Sequence, residues 1–216
     1  MNSSDLRKFG IGLGSSLFVL GLLYMVLLAV MMISGSGFPP VEPYTTAFSV
    51  LILISALIMV FYWVLIYFSI PAEKKVYGLS SLLMIVIFTT LTSINRFVAL
   101  TVVKQSLASG NTNGLEWFLP YSWPSVMLAL EILAWGGFFG LACLSLAPVF
   151  THDKFERTIF WVLIITGILS LCAIFGQIIN SILLNFAGLI AWGPGFTLVS
   201  FLTAKWFYIN KTGSEI

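Results

Sequence analysis

The sequence predicts an all-α, polytopic integral membrane protein in which six transmembrane helices form one bundle. Of its 216 residues, 59% are hydrophobic and only 8% are charged, whereas a soluble domain carries about 25% charged residues. The mean hydropathy is +1.05. The apolar residues fall into six runs of about 20 residues or more, the length that crosses ~30 Å of hydrocarbon as a helix. These observations exclude an ordinary soluble domain.

The six runs are separated by short segments rich in Gly, Pro, Asn and charged residues, which are typical of loops. Only the last separation is apolar and very short, which predicts a tight helical hairpin. No loop is long enough to act as a linker between domains, so residues 1–216 are predicted to form a single domain. The predicted spans are residues 9–33, 44–70, 77–103, 124–150, 156–182 and 184–208.

The basic residues outside the spans lie almost entirely on one side of the predicted membrane. Loops rich in Lys and Arg remain in the cytoplasm. Only Lys104 falls on the opposite side. This distribution predicts that both termini are cytoplasmic, most simply in the cell (plasma) membrane. The basic residues on the side of the termini are Arg7, Lys8, Lys74, Lys75, Lys154, Arg157, Lys205 and Lys211.

Two charged residues fall within predicted spans. Arg96 lies in the third span and Glu131 in the fourth. Each is seven residues from the end of its span opposite the termini, a depth of ~10 Å at helical rise. Since the two spans are consecutive and antiparallel, the charges are predicted to be level and to form an ion pair. The pair either fixes two helices together or lines a polar cavity, because a charge at membrane depth requires a partner or a function.

Polar side chains near the same depth favour the cavity. Thr92 and Asn95 precede Arg96 in the third span, and Gln177 and Asn180 lie near the end of the fifth. Polar side chains in lipid must find partners inside the bundle. We therefore predict that these four residues contribute to a ligand site around the ion pair. The alternative is that they only form hydrogen bonds between helices.

Proline occurs near the middle of the sixth span, within the sequence Trp192-Gly193-Pro194-Gly195. Proline removes a helical hydrogen bond and clashes with the preceding turn, and flanking glycines ease unwinding. The helix is therefore expected to kink or break here. Broken helices at the midplane often line substrate sites, so Trp192, Gly193 and Pro194 are assigned to the site. The alternative is a kink that serves packing alone.

Small residues recur four apart in two spans, as Gly10 with Gly14 and as Gly136 with Gly140. This spacing lets helices approach closely, within one chain or between copies. It therefore predicts contact faces and, between copies, a homo-oligomer.

Aromatic residues are concentrated in the loop between the third and fourth spans. The loop contains Trp117, Phe118, Tyr121 and Trp123. Such residues are typical of the membrane interface. At this place they could also cover the cavity as a lid.

The sequence contains little that indicates catalysis or a bound cofactor. It has two cysteines and one histidine, too few for a metal-ligand cluster, and no nucleophile or phosphate-loop motif. We predict no catalytic residues, no metal and no cofactor. A net charge of +2 also gives no support for nucleic-acid binding.

The function predicted first is that of a small-molecule or ion carrier, or a binding protein of the same architecture. Arg96 would meet an anionic group of a small anionic or amphipathic ligand, and Glu131 would balance the charge. One alternative is a structural or sensor subunit of a membrane complex. The other is a membrane-embedded enzyme that acts on a lipid or isoprenoid, with Glu131 as acid or base. The lipid bilayer is a partner in each case.

Overall fold

The computed structural model of the chain describes residues 2–209, and Met1 and residues 210–216, Lys211 among them, lie outside the described part. Six of its helices are long and apolar enough to cross a membrane, and the described residues form no β-strand. The predicted all-α class with six spans is thus confirmed. We number the helices α1 (Ser3–Ile33), α2 (Tyr44–Ser69), α3 (Ala72–Ser109), α4 (Val126–Val149), α5 (Lys154–Ile178) and α6 (Ile182–Ile209).

Side-chain caps define where three of the helices begin. Asn2 accepts a hydrogen bond from the Asp5 amide at the start of α1, over 2.8 Å. Ser125 caps α4 in the same way, and Asp153 caps α5. These caps satisfy amides that have no partner in the first turn of a helix. The cap at Asn2 explains why α1 begins six residues before its apolar run.

The predicted hairpin between α5 and α6 is confirmed. Asn180 adopts a left-handed conformation with φ 53°, which asparagine tolerates better than most residues. The Ser181 amide then donates to the Gly176 carbonyl over 2.8 Å, which closes the end of α5. The chain reverses within three residues.

The helices pack in chain order, and α6 returns to contact α1, so that the six are arranged in a ring. Each helix is antiparallel to its neighbours in the chain. We call the end that carries the start of α1 and the end of α6 the terminal face. The opposite end, which carries the loops 34–43 and 110–125, is the loop face.

The glycine faces predicted from the sequence lie inside this ring. A Cβ atom on Gly140 would lie 3.1 Å from the Gly167 carbonyl oxygen of α5, and one on Gly167 would lie 2.8 Å from the Gly140 oxygen. Gly10 and Gly14 of α1 similarly face Phe207 and Ala204 of α6. The chain's own helices therefore occupy these faces. A homo-oligomer stays a prediction, and it would have to use another surface.

Aromatic and apolar side chains fill the half of the bundle next to the terminal face, which we call the terminal half. Tyr62 donates a hydrogen bond to Thr203 over 2.7 Å. Trp63 donates to Ser81 over 2.8 Å, and Ser81 donates to the Ala142 carbonyl over 2.7 Å. The polar atoms of these side chains are thus paired within a close-packed core.

Of the two outcomes expected at Pro194, a kink or a break, the sixth span does not show the break. The helix continues through a π-helical turn, Ala191–Gly195. The wider turn adds one residue and so accommodates a proline, which would clash with the carbonyl four residues earlier in an α-helix. Two further π-helical turns occur, at Ala99–Val103 in α3 and Leu133–Phe139 in α4.

Candidate functional site

The half of the bundle next to the loop face, which we call the loop half, contains a cavity of about 270 Å³. All six helices contribute to its wall. The residues on this wall are mostly apolar or aromatic, with polar side chains from each of the six helices among them. The polar side chains on the wall are Tyr24, Ser55, Arg96, Tyr121, Glu131, Gln177, Asn185 and Trp192.

Arg96 and Glu131 form an ion pair in the wall of the cavity, as their equal depth predicts. Arg96 Nη2 contacts Glu131 Oε1 directly. Arg96 is 1% exposed and Glu131 is 7% exposed. Both precede π-helical turns, in α3 and α4 respectively. The ion pair therefore lies where two adjacent helices depart from regular α-helical geometry.

Neighbouring side chains hold the Glu131 carboxylate on both of its oxygens. Trp135, one turn further along α4, donates its indole N–H to Oε1 over 2.8 Å. Asn95 donates to Oε2 over 2.8 Å and to the Met127 carbonyl over 2.6 Å. With Arg96, three donors fix the carboxylate, as a buried charge requires.

Arg96 is less fully paired than Glu131. Its Nη1 donates to the Tyr121 hydroxyl over 2.5 Å. Its Nε has no partner among the described residues. A guanidinium offers five N–H donors, so the ion pair and the phenol leave part of its donor capacity unused.

An aromatic cluster covers the cavity at the loop face. Tyr121 makes edge contacts with Phe38 of the first loop and with Phe48 of α2, at centroid distances of 6.0 and 6.5 Å. Phe48 also contacts Tyr24 of α1, at 5.0 Å. Burial raises the pKa of the Tyr121 phenol. Tyr121 therefore keeps its hydroxyl proton and can donate it to a ligand while it accepts from Arg96.

Of the four aromatic residues that could form a lid, Tyr121 alone covers the cavity. Tyr121 lines the cavity, whereas Trp117, Phe118 and Trp123 are exposed on the outside. Pro120 completes the cover beside Tyr121.

Aromatic rings form the opposite end of the cavity, toward the terminal half. The Trp135 ring lies 6.3 Å from that of Trp192 and 6.1 Å from that of Phe196. The indole N–H of Trp192 has no partner among the described residues. This end can hold an apolar group.

One of the four predicted polar residues lies on the cavity wall. Gln177 lines the cavity, as expected. Asn95 lies behind Glu131 and acts through it, and Thr92 is fully buried away from the cavity wall. Asn180 is wrongly placed by the sequence argument. It is exposed at the α5–α6 hairpin, where its left-handed backbone forms the turn.

Of the three residues predicted around the sixth-span proline, one lines the cavity and two do not. Trp192 lines the cavity. Pro194 points outward and is exposed, and Gly193 faces Met25 of α1. Because the π-helical turn keeps the helix continuous, these two residues offer no free backbone to a ligand. The assignment of Gly193 and Pro194 to the cavity wall is therefore wrong.

Several residues of the wall were not identified from the sequence. Tyr24, Trp135 and Asn185 all face the cavity. Of these three, Asn185 could have been identified from the sequence, since it is an amide within an apolar span, near the depth of Gln177. Tyr24 and Trp135 cannot be distinguished by residue type from the many aromatic side chains that face lipid.

The cavity offers binding contacts rather than a set of reacting groups. Glu131 is the only carboxylate among the described residues on the wall, and no histidine or cysteine joins it. The polar layer can donate and accept hydrogen bonds, and the rest of the wall can bury apolar surface.

Comparisons of the chain with protein-family models, curated proteins and solved structures find no match.

Proposed function

We propose that this protein binds, and as a carrier moves, a small amphipathic molecule in the membrane. The observation that carries the proposal is the cavity itself, which all six helices enclose. It combines a polar layer around Arg96 and Glu131 with the aromatic rings of Trp135, Trp192 and Phe196. A ligand with one polar end and an apolar body matches both parts.

The ion pair favours an amphipathic ligand over a simple anion. Any anionic group that contacts Arg96 also comes near the Glu131 carboxylate, because the two side chains are in direct contact. Repulsion from the carboxylate offsets attraction to the guanidinium. A hydroxyl, amide or other neutral polar group avoids this repulsion and can use the spare donors of Arg96 and Tyr121.

We further propose that the protein lies in the plasma membrane with its terminal face toward the cytoplasm. The unequal distribution of Lys and Arg supports this orientation. The cavity would then lie in the outer half of the membrane. An Asn111→Cys variant, which places a thiol in the loop between α3 and α4, should be labelled from the outside only. Labelling of an Asn2→Cys variant from the outside would contradict the proposal.

Filling the cavity provides a direct test of binding. Ser55 lines the cavity and, among the described residues, donates a hydrogen bond to the Leu51 carbonyl of its own helix alone. Ser16 of α1 makes the same kind of bond to the Gly12 carbonyl but is exposed toward lipid. Ser55→Phe therefore fills the cavity, and Ser16→Phe is its matched control.

The probe is a long-chain alcohol that carries a photoreactive diazirine, added to the protein in lipid nanodiscs. We expect it to label peptides that contain Trp135 and Trp192. Ser55→Phe should lower this labelling by about tenfold, the effect of losing roughly 1.4 kcal/mol of binding energy, and Ser16→Phe should leave it unchanged. Labelling confined to lipid-facing residues, with no effect of Ser55→Phe, would reject binding in favour of a purely structural role.

A further inference from the structure

We infer that the ligand reaches the cavity sideways from the bilayer, through a gap between α1 and the first segment of α6 (Ile182–Ile190), and that it is a single-chain amphiphile. This inference rests on the proposed function and names its substrate class and route. The gap is the place where the ring of helices is not closed over its full height.

The two helices are in close contact from the π-helical turn of α6 to the terminal face. Gly21 of α1 packs on Thr197, and Gly14 packs on Ala204. At the π-helical turn the approach is looser, since a Cβ atom on Gly193 would lie 3.8 Å from Met25. Among the described residues, α1 has hardly any close backbone contact with the segment Ile182–Ile190.

That segment packs on α5 instead. A Cβ atom on Gly188 would lie 2.5 Å from the Ala173 Cβ of α5, and one on Gly176 of α5 would lie 2.6 Å from Asn185 Oδ1. Small residues thus bring the first segment of α6 against α5. The π-helical turn at Pro194 lies where α6 passes from one partner to the other, and such turns change the course of a helix.

Residues at the gap belong both to the cavity wall and to the outer surface. Leu189 lines the cavity and is 47% exposed. Leu20 of α1 and Asn185 are half-buried and line the cavity as well. An opening with an apolar rim at membrane depth admits a molecule dissolved in lipid and is unfavourable for a hydrated one.

Access from the loop face is more restricted. Phe38, Pro120 and Tyr121 cover the cavity there, and Arg96 holds Tyr121 by its hydroxyl. The contrast between this anchored cover and the gap indicates the lateral route.

The size of the cavity limits the occupant to one chain. About 270 Å³ is at the lower end of ligand pockets, which are about 300–1,000 Å³. The two chains of a phospholipid together exceed this space. The polar end would bind in the layer of Arg96, Gln177 and Asn185, and the chain would lie against Trp135 and Trp192.

The test is to tie the two sides of the gap together. On α1, Leu28 follows Gly21 and Met25 at helical spacing and so continues the face toward α6, level with Leu189. The pair Leu28→Cys and Leu189→Cys is joined by a short bifunctional methanethiosulfonate, which a reductant removes. The variant also carries Cys172→Ala, because Cys172 is half-buried while the other cysteine, Cys143, is buried.

The matched control joins the same two helices where they already touch. The rings of Phe18 on α1 and Phe201 on α6 lie 5.2 Å apart. The pair Phe18→Cys and Phe201→Cys is joined by the same reagent in the same Cys172→Ala background. Any general effect of a bridge on folding or on the bilayer appears in both proteins.

The measured quantity is the rate at which the diazirine long-chain alcohol, supplied from lipid vesicles, labels the cavity. We expect the bridge at the gap to slow labelling by about tenfold or more, as a closed gate does, and reduction to restore the rate. The control bridge should leave the rate unchanged.

The possible failures are distinguishable. Cavity labelling that proceeds at the unbridged rate in the bridged protein would overturn the lateral route and leave the proposed function standing. Failure of the reagent to join Leu28→Cys and Leu189→Cys would also overturn it, since the two positions would not face each other across a gap. Absence of cavity labelling in the unbridged protein would reject the proposed function, and the inference with it.

Discussion

The terminal half and the loop half of the bundle use buried polar groups in different ways. In the terminal half, Tyr62, Trp63 and Trp206 each donate a hydrogen bond to a side chain on another helix. In the loop half, Arg96 Nε and the Trp192 indole N–H have no partner among the described residues. Polar groups that hold helices together are expected to be paired, whereas in the loop half Arg96, Gln177 and Asn185 also line a cavity. The comparison separates the part that holds the ring together from the part that can receive a ligand.

The ion pair should produce the largest effect on stability in the loop half. Arg96→Met or Glu131→Leu alone leaves a buried charge without its partner and should lower the free energy of unfolding by about 3–5 kcal/mol. The double variant should lose much less than the sum, because neither charge remains. Denaturant titration in mixed micelles measures these values.

Glu116→Leu provides the control for that cycle. Glu116 is an exposed carboxylate in the loop between α3 and α4, so its loss should change stability by no more than about 0.5 kcal/mol. Additive effects of the two single variants would show that Arg96 and Glu131 are not coupled.

Glycine substitutions should show an intermediate effect that differs between two interfaces. Gly167→Ala places a methyl group 2.8 Å from the Gly140 oxygen, where α4 and α5 are in contact, and should cost about 1–3 kcal/mol. Gly193→Ala meets nothing closer than Met25 at 3.8 Å and should be neutral or stabilising by up to about 1 kcal/mol. Thermal unfolding of the two variants compares them, and equal destabilisation would contradict the close packing of α4 on α5.

Two tyrosine substitutions should give the smallest stability change and the clearest contrast in binding. Tyr62→Phe removes a donor to Thr203 in the terminal half, so it should cost about 0.5–1.5 kcal/mol and leave labelling by the diazirine alcohol unchanged. Tyr24→Phe removes a hydroxyl from the cavity wall and should weaken labelling with little effect on stability. The reverse pattern would mean that the division into halves is wrong.

Much of the fold was predictable because it depends on composition and spacing. The six apolar runs and the short hairpin near Asn180 agree with the helices of the structure. Equal depth on consecutive spans was sufficient to pair Arg96 with Glu131. These features need only the thickness of a bilayer and the rise of a helix.

The cavity wall was less predictable because it depends on helix rotation. Gln177 was found, but Asn180 lies three residues further along the chain and outside the bundle, in a turn that a polarity argument does not distinguish. The π-helical turns at Ala99–Val103 and Leu133–Phe139 contain no proline, so they left no clear signal. Pro194 did indicate a departure from α-helical geometry, but the π-helical turn accommodates the proline without breaking the helix.

The most direct test of the central proposal uses the tryptophans as reporters of two environments. Trp135 is buried on the cavity wall, and Trp161 of α5 is 60% exposed on the outer surface. The measurement is fluorescence quenching by a brominated single-chain alcohol and by a brominated two-chain phospholipid, in the wild type, Trp135→Phe and Trp161→Phe. We expect the alcohol to quench a component that Trp135→Phe reduces, while the phospholipid quenches only a component that Trp161→Phe reduces. If the alcohol and the phospholipid quench the same component, and Trp135→Phe changes neither, the cavity does not take up a single-chain amphiphile and the proposal is wrong.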